Sequence, residues 1–368
     1  MPNVLNPQLT KKQAMLFDYL DKFEQKNNYP PTFERMAHRF NVSIPTIHQR
    51  VDYLEKKGRI VRQKGVKHSI RVLKTMRDIV QISAMEEKTV QDFVLPVKKN
   101  IEQRGKISDY INKVYNGDVM HVLKDLPDNS VDMIFGDPDY NVGIKYNENN
   151  YTKKFDDYIN WYIELAKESM RVLKPDGNLF MMNYPQQNAH LRVKYLDLHF
   201  PNINEYVWVY NTNVGHTPRR FTTAHRSILH VRKSSDNKFF KDAVALPYKN
   251  PTDKRIRQNI ANGSSGRMPY SWFEFNLVKN VSKEKTHHAC QIPQKLTEML
   301  VNGSTKTKDI VFVLFGGSGA EIDVCKKKNR NFISAEIDKK YCDIIKKRLV
   351  TGEIATEHKL VGGKKKII

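Results

Sequence analysis

The stretch that decides the fold is Val131-Asp132-Met133-Ile134-Phe135-Gly136-Asp137-Pro138-Asp139-Tyr140. Its first half is mostly apolar, and a glycine, an acid, a proline, a second acid and an aromatic residue follow. This order is typical of a buried strand that ends in a rigid turn, because proline fixes a backbone angle. In open α/β sheets, ligands bind at the carboxyl ends of the strands. The stretch therefore predicts a candidate site at a sheet edge.

The turn Asp137-Pro138-Asp139-Tyr140 resembles the Asp-Pro-Pro-Tyr motif of DNA amino-methyltransferases, although Asp139 stands where a proline is usual. An exocyclic amine of adenine or cytosine is a poor nucleophile, because its lone pair is delocalised into the ring. The Asp137 carboxylate and the Pro138 carbonyl can accept its hydrogens, so that the nitrogen attacks a sulfonium methyl group. Tyr140 offers a stacking face for a base taken out of the helix. The alternative is an ordinary surface turn.

Composition limits the function classes further. The chain has 368 residues, enough for two or three domains, and a formal net charge of +22, which favours an anionic polymer as partner. No apolar run is long enough to span a bilayer, and no signal peptide opens the chain. Its three cysteines are scattered, so neither a disulfide framework nor a metal site is expected, although His287, His288 and Cys290 are close in sequence. A cytoplasmic protein of bacterial or phage-like origin, associated with the nucleoid, is predicted.

The first 76 residues predict a winged helix-turn-helix domain. They carry fifteen Lys and Arg against six Asp and Glu, a surplus of nine. Three helical patterns and two short strands follow one another, and Pro30-Pro31-Thr32 and Gly58-Arg59-Ile60 resemble the DNA-binding domain of the LexA repressor. In that fold the third helix enters the major groove. The candidate DNA-binding residues are Thr46, His48, Gln49, Arg50, Lys64 and Lys67. Protein contact or dimerisation is the alternative.

Residues 77–106 are interpreted as a linker with at most one short helix, and residues 107–352 as a second domain. Its alternating strands and helices predict a parallel α/β sheet. Residues 211–286 are interpreted as a basic insertion, with fifteen Lys and Arg against five Asp and Glu. Its candidate DNA-binding residues are Arg219, Arg220 and Arg267, and a solvated loop is the alternative. Residues 353–368 are expected to form a basic tail.

Two further motifs predict a cofactor site. The strand before Phe315-Gly316-Gly317-Ser318-Gly319 is followed, about twenty residues after the glycines, by Glu336, an acid that could bind ribose hydroxyls. His288-Ala289-Cys290-Gln291 resembles a motif that lies beside the cofactor in the methyltransferase family. The candidate cofactor residues are Asp118, Asp137, His288, Gln291, Phe315, Gly316, Gly317, Ser318, Gly319, Glu336 and Ile337.

The catalytic turn precedes the basic insertion and the glycine-rich half, and this permuted order resembles the β group of amino-methyltransferases. The resemblance implies a Rossmann-like sheet, S-adenosylmethionine as cofactor, double-stranded DNA as substrate and adenine N6 as target. It also allows a homodimer and a cognate restriction nuclease. Val313-Leu314 stand where the family has Asp-Pro. The alternatives are a cytosine N4 or RNA methyltransferase, or a DNA-binding regulator with a degenerate catalytic domain.

Overall fold

The computed structural model describes residues 9–27, 29–62, 70–72, 94–96, 104–146, 149–212, 216, 218–279, 282, 284–354 and 358–359. The chain divides into an N-terminal unit, Met1–Thr89, and a C-terminal unit, Val90–Ile368. In the described part of the chain, no helix is both long enough and apolar enough to cross a membrane.

The N-terminal unit consists of helices α1 (Lys11–Asn27), α2 (Phe33–Phe40) and α3 (Ile44–Lys56), followed by strands β1 (Ile60–Val61) and β2 (Arg71–Val72). The two strands pair in antiparallel orientation. Polar side chains begin the second and third helices: Thr32 accepts a hydrogen bond from the Arg35 amide, and Ser43 accepts one from the Thr46 amide. The predicted order of helices and strands is thus present. Residues 63–69, which connect the two strands in sequence, lie outside the described residues.

The C-terminal unit is built on a nine-stranded sheet of described strands in the order β11-β9-β10-β8-β5-β12-β13-β4-β3. The strands are β3 (Val94–Pro96), β4 (Lys113–Asn116), β5 (Val131–Gly136), β8 (Leu173–Asn183), β9 (Asn202–Val209), β10 (His225–Arg232), β11 (Trp272–Glu274), β12 (Ile310–Val313) and β13 (Asn331–Glu336). A separate two-stranded ribbon consists of β6 (Lys145–Tyr146) and β7 (Asn149–Asn150).

Helices cover both faces of this sheet, and two apolar clusters pack against it. A 3₁₀ turn at Ile107–Asp109 precedes β4, and a π-helical turn at Arg192–Leu196 follows the helix Pro185–Leu191. The helices are α4 (Val119–Asp125), α5 (Phe155–Val172), α6 (Pro185–Leu191), α7 (Asp197–His199), α8 (Lys241–Val244), α9 (Lys254–Ala261), α10 (Gln294–Ser304), α11 (Ala320–Lys327) and α12 (Lys339–Thr351).

The expectation of a parallel sheet is correct only for part of it. Strands β3, β4, β13, β12, β5 and β8 run parallel to one another, whereas β10 is antiparallel to both β8 and β9. The described residues between β9 and β10 contain no helix that could serve as the crossover a parallel pair usually needs. The sheet is therefore mixed.

Two predicted ranges contain strands of the sheet. Strand β3 lies inside residues 77–106, the expected linker, and pairs in parallel with β4 at the edge of the sheet. Strands β10 and β11 lie inside residues 211–286, the expected insertion, and β10 pairs with β8 from Ser227 to Val231. Both ranges therefore contribute backbone to the sheet.

Candidate functional site

The candidate site is a cavity of about 220 Å³ at the carboxyl ends of β4, β5, β12 and β13. The catalytic turn after β5 and the glycine-rich turn after β12 both line it, because these strands are neighbours in the sheet. Residues 135 and 313 are paired across the two strands although 178 residues separate them in sequence. The sheet edge thus brings together two motifs that the sequence keeps far apart.

All four predicted catalytic residues line this cavity: Asp137, Pro138, Asp139 and Tyr140. The Tyr140 hydroxyl donates a hydrogen bond to Asp137 Oδ1. Gln187 Nε2 donates to the Tyr140 carbonyl at 2.8 Å, and the Tyr158 hydroxyl donates to the Asp139 carbonyl at 2.7 Å. Side chains from α5 and α6 therefore fix the backbone of the turn.

The environment of Asp137 controls its ionisation. Burial raises the pKa of this carboxyl to about 7, and the negative charge of Asp139 acts in the same direction. The Tyr140 hydrogen bond and the positive charge of Arg226 lower the pKa and so favour the carboxylate. Asp137 is consequently an acceptor whose charge changes near neutral pH.

Asp139, the residue that departs from the family motif, has contacts typical of a turn. Its Oδ2 accepts a hydrogen bond from the Asn141 amide at 3.2 Å, and Asn141 has a left-handed φ of 60°. Aspartate commonly bonds the backbone two residues ahead in this way. The side chain thus stabilises the turn by a bond that proline could not make.

Arg226, on β10, is a residue that the sequence analysis missed. Its guanidinium carbon lies 3.9 Å from the ring centroid of Tyr184 and 5.2 Å from that of Tyr140. The guanidinium also donates hydrogen bonds to the Tyr210 hydroxyl and to the His225 carbonyl. Only the antiparallel pairing of β10 with β8 brings this cation to the catalytic turn, so no local signal could have revealed it.

The glycine-rich turn is held by the acid at the end of the next strand. The Gly317 amide donates to Glu336 Oε2 at 2.7 Å, and the Asp338 amide donates to Glu336 Oε1 at 2.8 Å. Phe315, Gly317 and Ser318 line the cavity. Gly316 and Gly319 pack closely against Ile345 of α12, which leaves little room for a side chain.

The remaining predicted cofactor residues also reach the cavity. Asp118 begins α4 by accepting a hydrogen bond from the Met120 amide at 2.8 Å, and Gln291 Oε1 accepts one from the Thr286 amide at 3.2 Å. His288 packs edge-on against Tyr341, and burial lowers its pKa to about 4, so the imidazole is neutral at pH 7. Ile337 completes this wall.

Comparison with known proteins identifies both parts of the chain. A family model described as DNA methylase matches residues 131–347, and one described as LexA DNA binding domain matches residues 6–67. The first match spans more than half of the chain. The protein belongs to the DNA methylase family. The predicted methyltransferase class and the resemblance of the N-terminal residues to LexA are therefore confirmed.

Individual relatives and one solved structure are similar to parts of this chain. The Type II methyltransferase M.BglII of Bacillus subtilis is 32% identical over 249 residues, which cover 64% of this chain and 68% of that protein. The DNA adenine methyltransferase YhdJ of Escherichia coli (strain K12) is 28% identical over 241 residues, covering 64% and 82%. Among solved structures, TTHA0409 of Thermus thermophilus, complexed with S-adenosyl-L-methionine, is 18% identical with a TM-score of 0.47, covering 66% and 94%.

The predicted DNA-binding residues of this methylase lie in different settings. On α3, His48 and Gln49 are exposed, whereas Thr46 and Arg50 are half-buried. His48 stacks on Phe33 with ring centroids 4.0 Å apart. Lys64 and Lys67 lie outside the described residues. In the C-terminal unit, Arg219 and Arg220 are exposed, and half-buried Arg267 lies 4.8 Å from the ring centroid of Tyr270.

Gly317 allows a test of the cavity wall. Its φ of +50° is unfavourable for alanine by roughly 1–2 kcal/mol, and an added Cβ would lie 3.2 Å from His288 Cε1. We expect Gly317→Ala to destabilise the protein by about that amount and to weaken binding of S-adenosylmethionine, measured by thermal unfolding and by calorimetry.

Gly263→Ala is the matched control, because its φ is +85° and nothing lies within 4 Å of an added Cβ. This variant should lose comparable stability and keep its affinity. If both variants bound S-adenosylmethionine with equal affinity, Gly317 would not be part of the cofactor site.

Proposed function

We propose that this protein is a site-specific DNA methyltransferase that transfers a methyl group from S-adenosylmethionine to adenine N6 of duplex DNA. The observation that carries the proposal is the shared cavity of Asp137 and the glycine-rich turn. An acceptor for amine hydrogens and a turn suited to a nucleoside ligand lie at one sheet edge, where α/β proteins bind ligands. Adenine is favoured because the first motif position is an acid, which is more usual for adenine than for cytosine in the family.

The residues of the cavity fit this cofactor. An added Cβ on Gly316 would lie 2.7 Å from Ile345 Cδ1, so the wall behind the turn has no room for a side chain there. Glu336 is the last residue of β13, the strand beside β12, where a carboxylate can accept hydrogen bonds from ribose hydroxyls. Phe315 and Ile337 add apolar surface for the adenine ring of the cofactor, and Asp118 lies on the same wall of the cavity. When bound, S-adenosylmethionine supplies an electrophilic methyl group.

The chain's own groups prepare the target amine. The ionised Asp137 carboxylate and the Pro138 carbonyl accept hydrogen bonds from the exocyclic nitrogen, which increases its nucleophilicity. The Tyr140 hydroxyl and Arg226 help Asp137 to stay ionised despite burial. Tyr140 is only 6% exposed, with Arg226 and Tyr184 packed against its ring, so only its cavity side is left for the predicted contact with a flipped base.

The N-terminal unit would supply a second DNA contact through the exposed side of α3. His48, Gln49 and Tyr53 are exposed there, whereas Ile47, Val51 and Leu54 are buried in the core of the unit. Arg62 is occupied by ion pairs with Asp52 and Glu55. Base reading by this helix and phosphate contacts by Arg219, Arg220 and Arg267 belong to the same proposal.

The test is base identification after methylation in vitro. The protein is incubated with genomic DNA and isotopically labelled S-adenosylmethionine, and the DNA is digested to nucleosides. We expect label in N6-methyladenine and its absence from an Asp137→Ala reaction. Label in N4-methylcytosine would show that the target is cytosine N4 and not adenine N6, and the protein would still be a DNA methyltransferase. Sequence-specific DNA binding without any label would favour the regulator with a degenerate domain.

Four finer predictions remain part of this proposal: the cytoplasmic location, the homodimer, the cognate restriction nuclease and the recognition of one defined sequence. Sequencing that detects modified bases, applied to DNA from cells that express the protein, would reveal the recognised sequence. A single methylated motif is expected. Methylation of every adenine context would contradict site specificity.

A further inference from the structure

Glu321 is a buried acid that neither the sequence motifs nor the proposed chemistry uses. It is the second residue of α11 and follows the glycine-rich turn directly. Its side chain lines the cavity, yet the residue is only 7% exposed. Glu321 therefore borders the cavity with almost none of its surface exposed.

Glu321 has no cationic partner among the described residues, where no ion pair within 4.0 Å includes it. Arg348, the cation that acts on it electrostatically, is engaged elsewhere: its Nε donates to Asp323 Oδ2 at 3.4 Å and a terminal amino group donates to the Ser318 carbonyl at 3.1 Å. A buried carboxylate without a partner is strongly disfavoured as an ion, so such a group usually holds a proton or meets a cation.

The charges around Glu321 agree with this. Burial, with the negative charge of Asp137 acting in the same direction, raises its pKa to about 8, although its own backbone amide and Arg348 oppose the shift. Cys325, one turn later on the same helix, is the other titratable group that interacts with it. The carboxyl is therefore protonated at pH 7 unless a positive charge arrives.

The position of Glu321 in the cavity indicates which part of a ligand it meets. In the sheet, β12 lies between β5, which leads to Asp137, and β13, which ends at Glu336, and Glu321 follows the turn after β12. The negative charge of Asp137 acts on the Glu321 carboxyl, which agrees with a position on the side of the cavity near the catalytic turn. Val313 and Leu314, at the end of β12, are apolar and buried and offer no charge there.

S-adenosylmethionine carries its positive charges on the sulfonium and on the α-ammonium group, both in its methionine half. We propose that Glu321 binds the α-ammonium group of the cofactor and becomes ionised when the cofactor binds. The inference rests on the proposed function, because it takes the methionine half of S-adenosylmethionine as the ligand. Binding then releases the carboxyl proton to the solvent.

Calorimetry with three ligands tests this proposal. S-adenosylmethionine has the ammonium and the sulfonium, S-adenosylhomocysteine has only the ammonium, and 5′-methylthioadenosine has neither. We expect Glu321→Gln to lower the affinity for S-adenosylhomocysteine by at least about tenfold, the range for a hydrogen bond to a charged group. Its affinity for methylthioadenosine should change by less than about twofold. Methylthioadenosine binding also reports that the variant is folded.

Proton release provides the second measurement, from titrations at pH 7 in buffers with different ionisation enthalpies. We expect the native protein to release a proton on binding S-adenosylhomocysteine, Asp137→Asn to retain part of this release, and Glu321→Gln to lose it. Glu164→Gln, at an exposed position on α5, is the matched control and should behave as the native protein.

Other results would overturn the inference. Equal losses of S-adenosylhomocysteine and methylthioadenosine affinity would assign Glu321 a structural role, and unchanged affinity for both would exclude the contact. Undiminished proton release in Glu321→Gln would place the titrating group elsewhere. If the native protein bound none of the three ligands, the cofactor assignment itself would fail, an outcome distinct from a failure of Glu321 alone.

Discussion

Asp137→Ala should reduce the rate of methyl transfer by at least roughly 10²–10³-fold, the usual effect of removing one preorganised group that stabilises a transition state. The physical reason is the loss of the acceptor for the amine hydrogens at the end of β5. The affinity for S-adenosylmethionine should change much less, because the glycine-rich turn and Glu336 are untouched. The measurement is the single-turnover rate with labelled cofactor, combined with calorimetric binding.

The pH dependence of this rate shows whether the negative charge of Asp137 or only the size of its side chain is needed. Burial raises the pKa of Asp137 to about 7. The ionised form is the better acceptor, so the rate of the native enzyme should rise as pH increases through about 7 and fall below it. Asp137→Asn keeps a carbonyl acceptor of the same size, so it should retain part of the activity and lose this rise.

One control and two contrary outcomes complete the test of Asp137. Asp156→Asn, at an exposed position in the first turn of α5, should leave rate and pH profile unchanged. A native pH profile in Asp137→Asn would mean that another group titrates. Full activity in Asp137→Ala would refute the catalytic assignment of the turn.

Arg226→Gln should have the second largest effect. The substitution removes the positive charge that helps Asp137 to ionise and the cation that packs on Tyr184 and Tyr140. The pKa of Asp137 should rise, so the midpoint of the pH–rate profile should move to higher pH. We expect a loss of about tenfold in rate at pH 7, equivalent to roughly 1.4 kcal/mol, with partial recovery in alkaline buffer.

Stability changes must be separated from this electrostatic effect. A desolvated cation–π contact contributes roughly 2 kcal/mol, so Arg226→Gln should also lower the thermal midpoint. Arg226→Lys keeps the charge and should retain most of the native pH profile. Arg232→Gln removes a half-buried arginine from the same strand, where it bonds Asn204 and Asn237, and should not shift the profile. A shift of equal size in both glutamine variants would contradict the role of Arg226.

The local features of this fold could be predicted from the sequence. Thr32 and Ser43 begin helices in the N-terminal unit, and Asp338 begins α12, because each side chain bonds amides within a few residues. The turns after β5 and β12 are equally local, since Pro138 and the glycines restrict or permit particular backbone angles. The chemistry of Asp137 and Glu336 followed from these positions.

The domain boundaries and the mixed sheet could not be predicted in the same way, because they depend on which strands pair. Strand β3 consists of three residues in a polar region, and its stability comes from pairing with β4. The orientation of strand β10 depends on its partners β8 and β9, which its own sequence does not identify. Backbone hydrogen bonds between strands leave little trace in composition, so the predicted linker and insertion both contain strands of the sheet.

By itself, the sequence determined the elements whose causes lie within a few residues: helix starts, the proline turn, the glycine turn and the acids at strand ends. Only the tertiary structure decided which charges meet. Asp132, an acid inside the apolar stretch of β5, is buried because Lys174 and Lys238 bond its Oδ1 and the Ile310 amide bonds its Oδ2. The order of the strands also places Arg226 beside Tyr140, and it places Glu321 in the cavity. Electrostatic interactions depend on burial and on distance in space, and both are set by strand order.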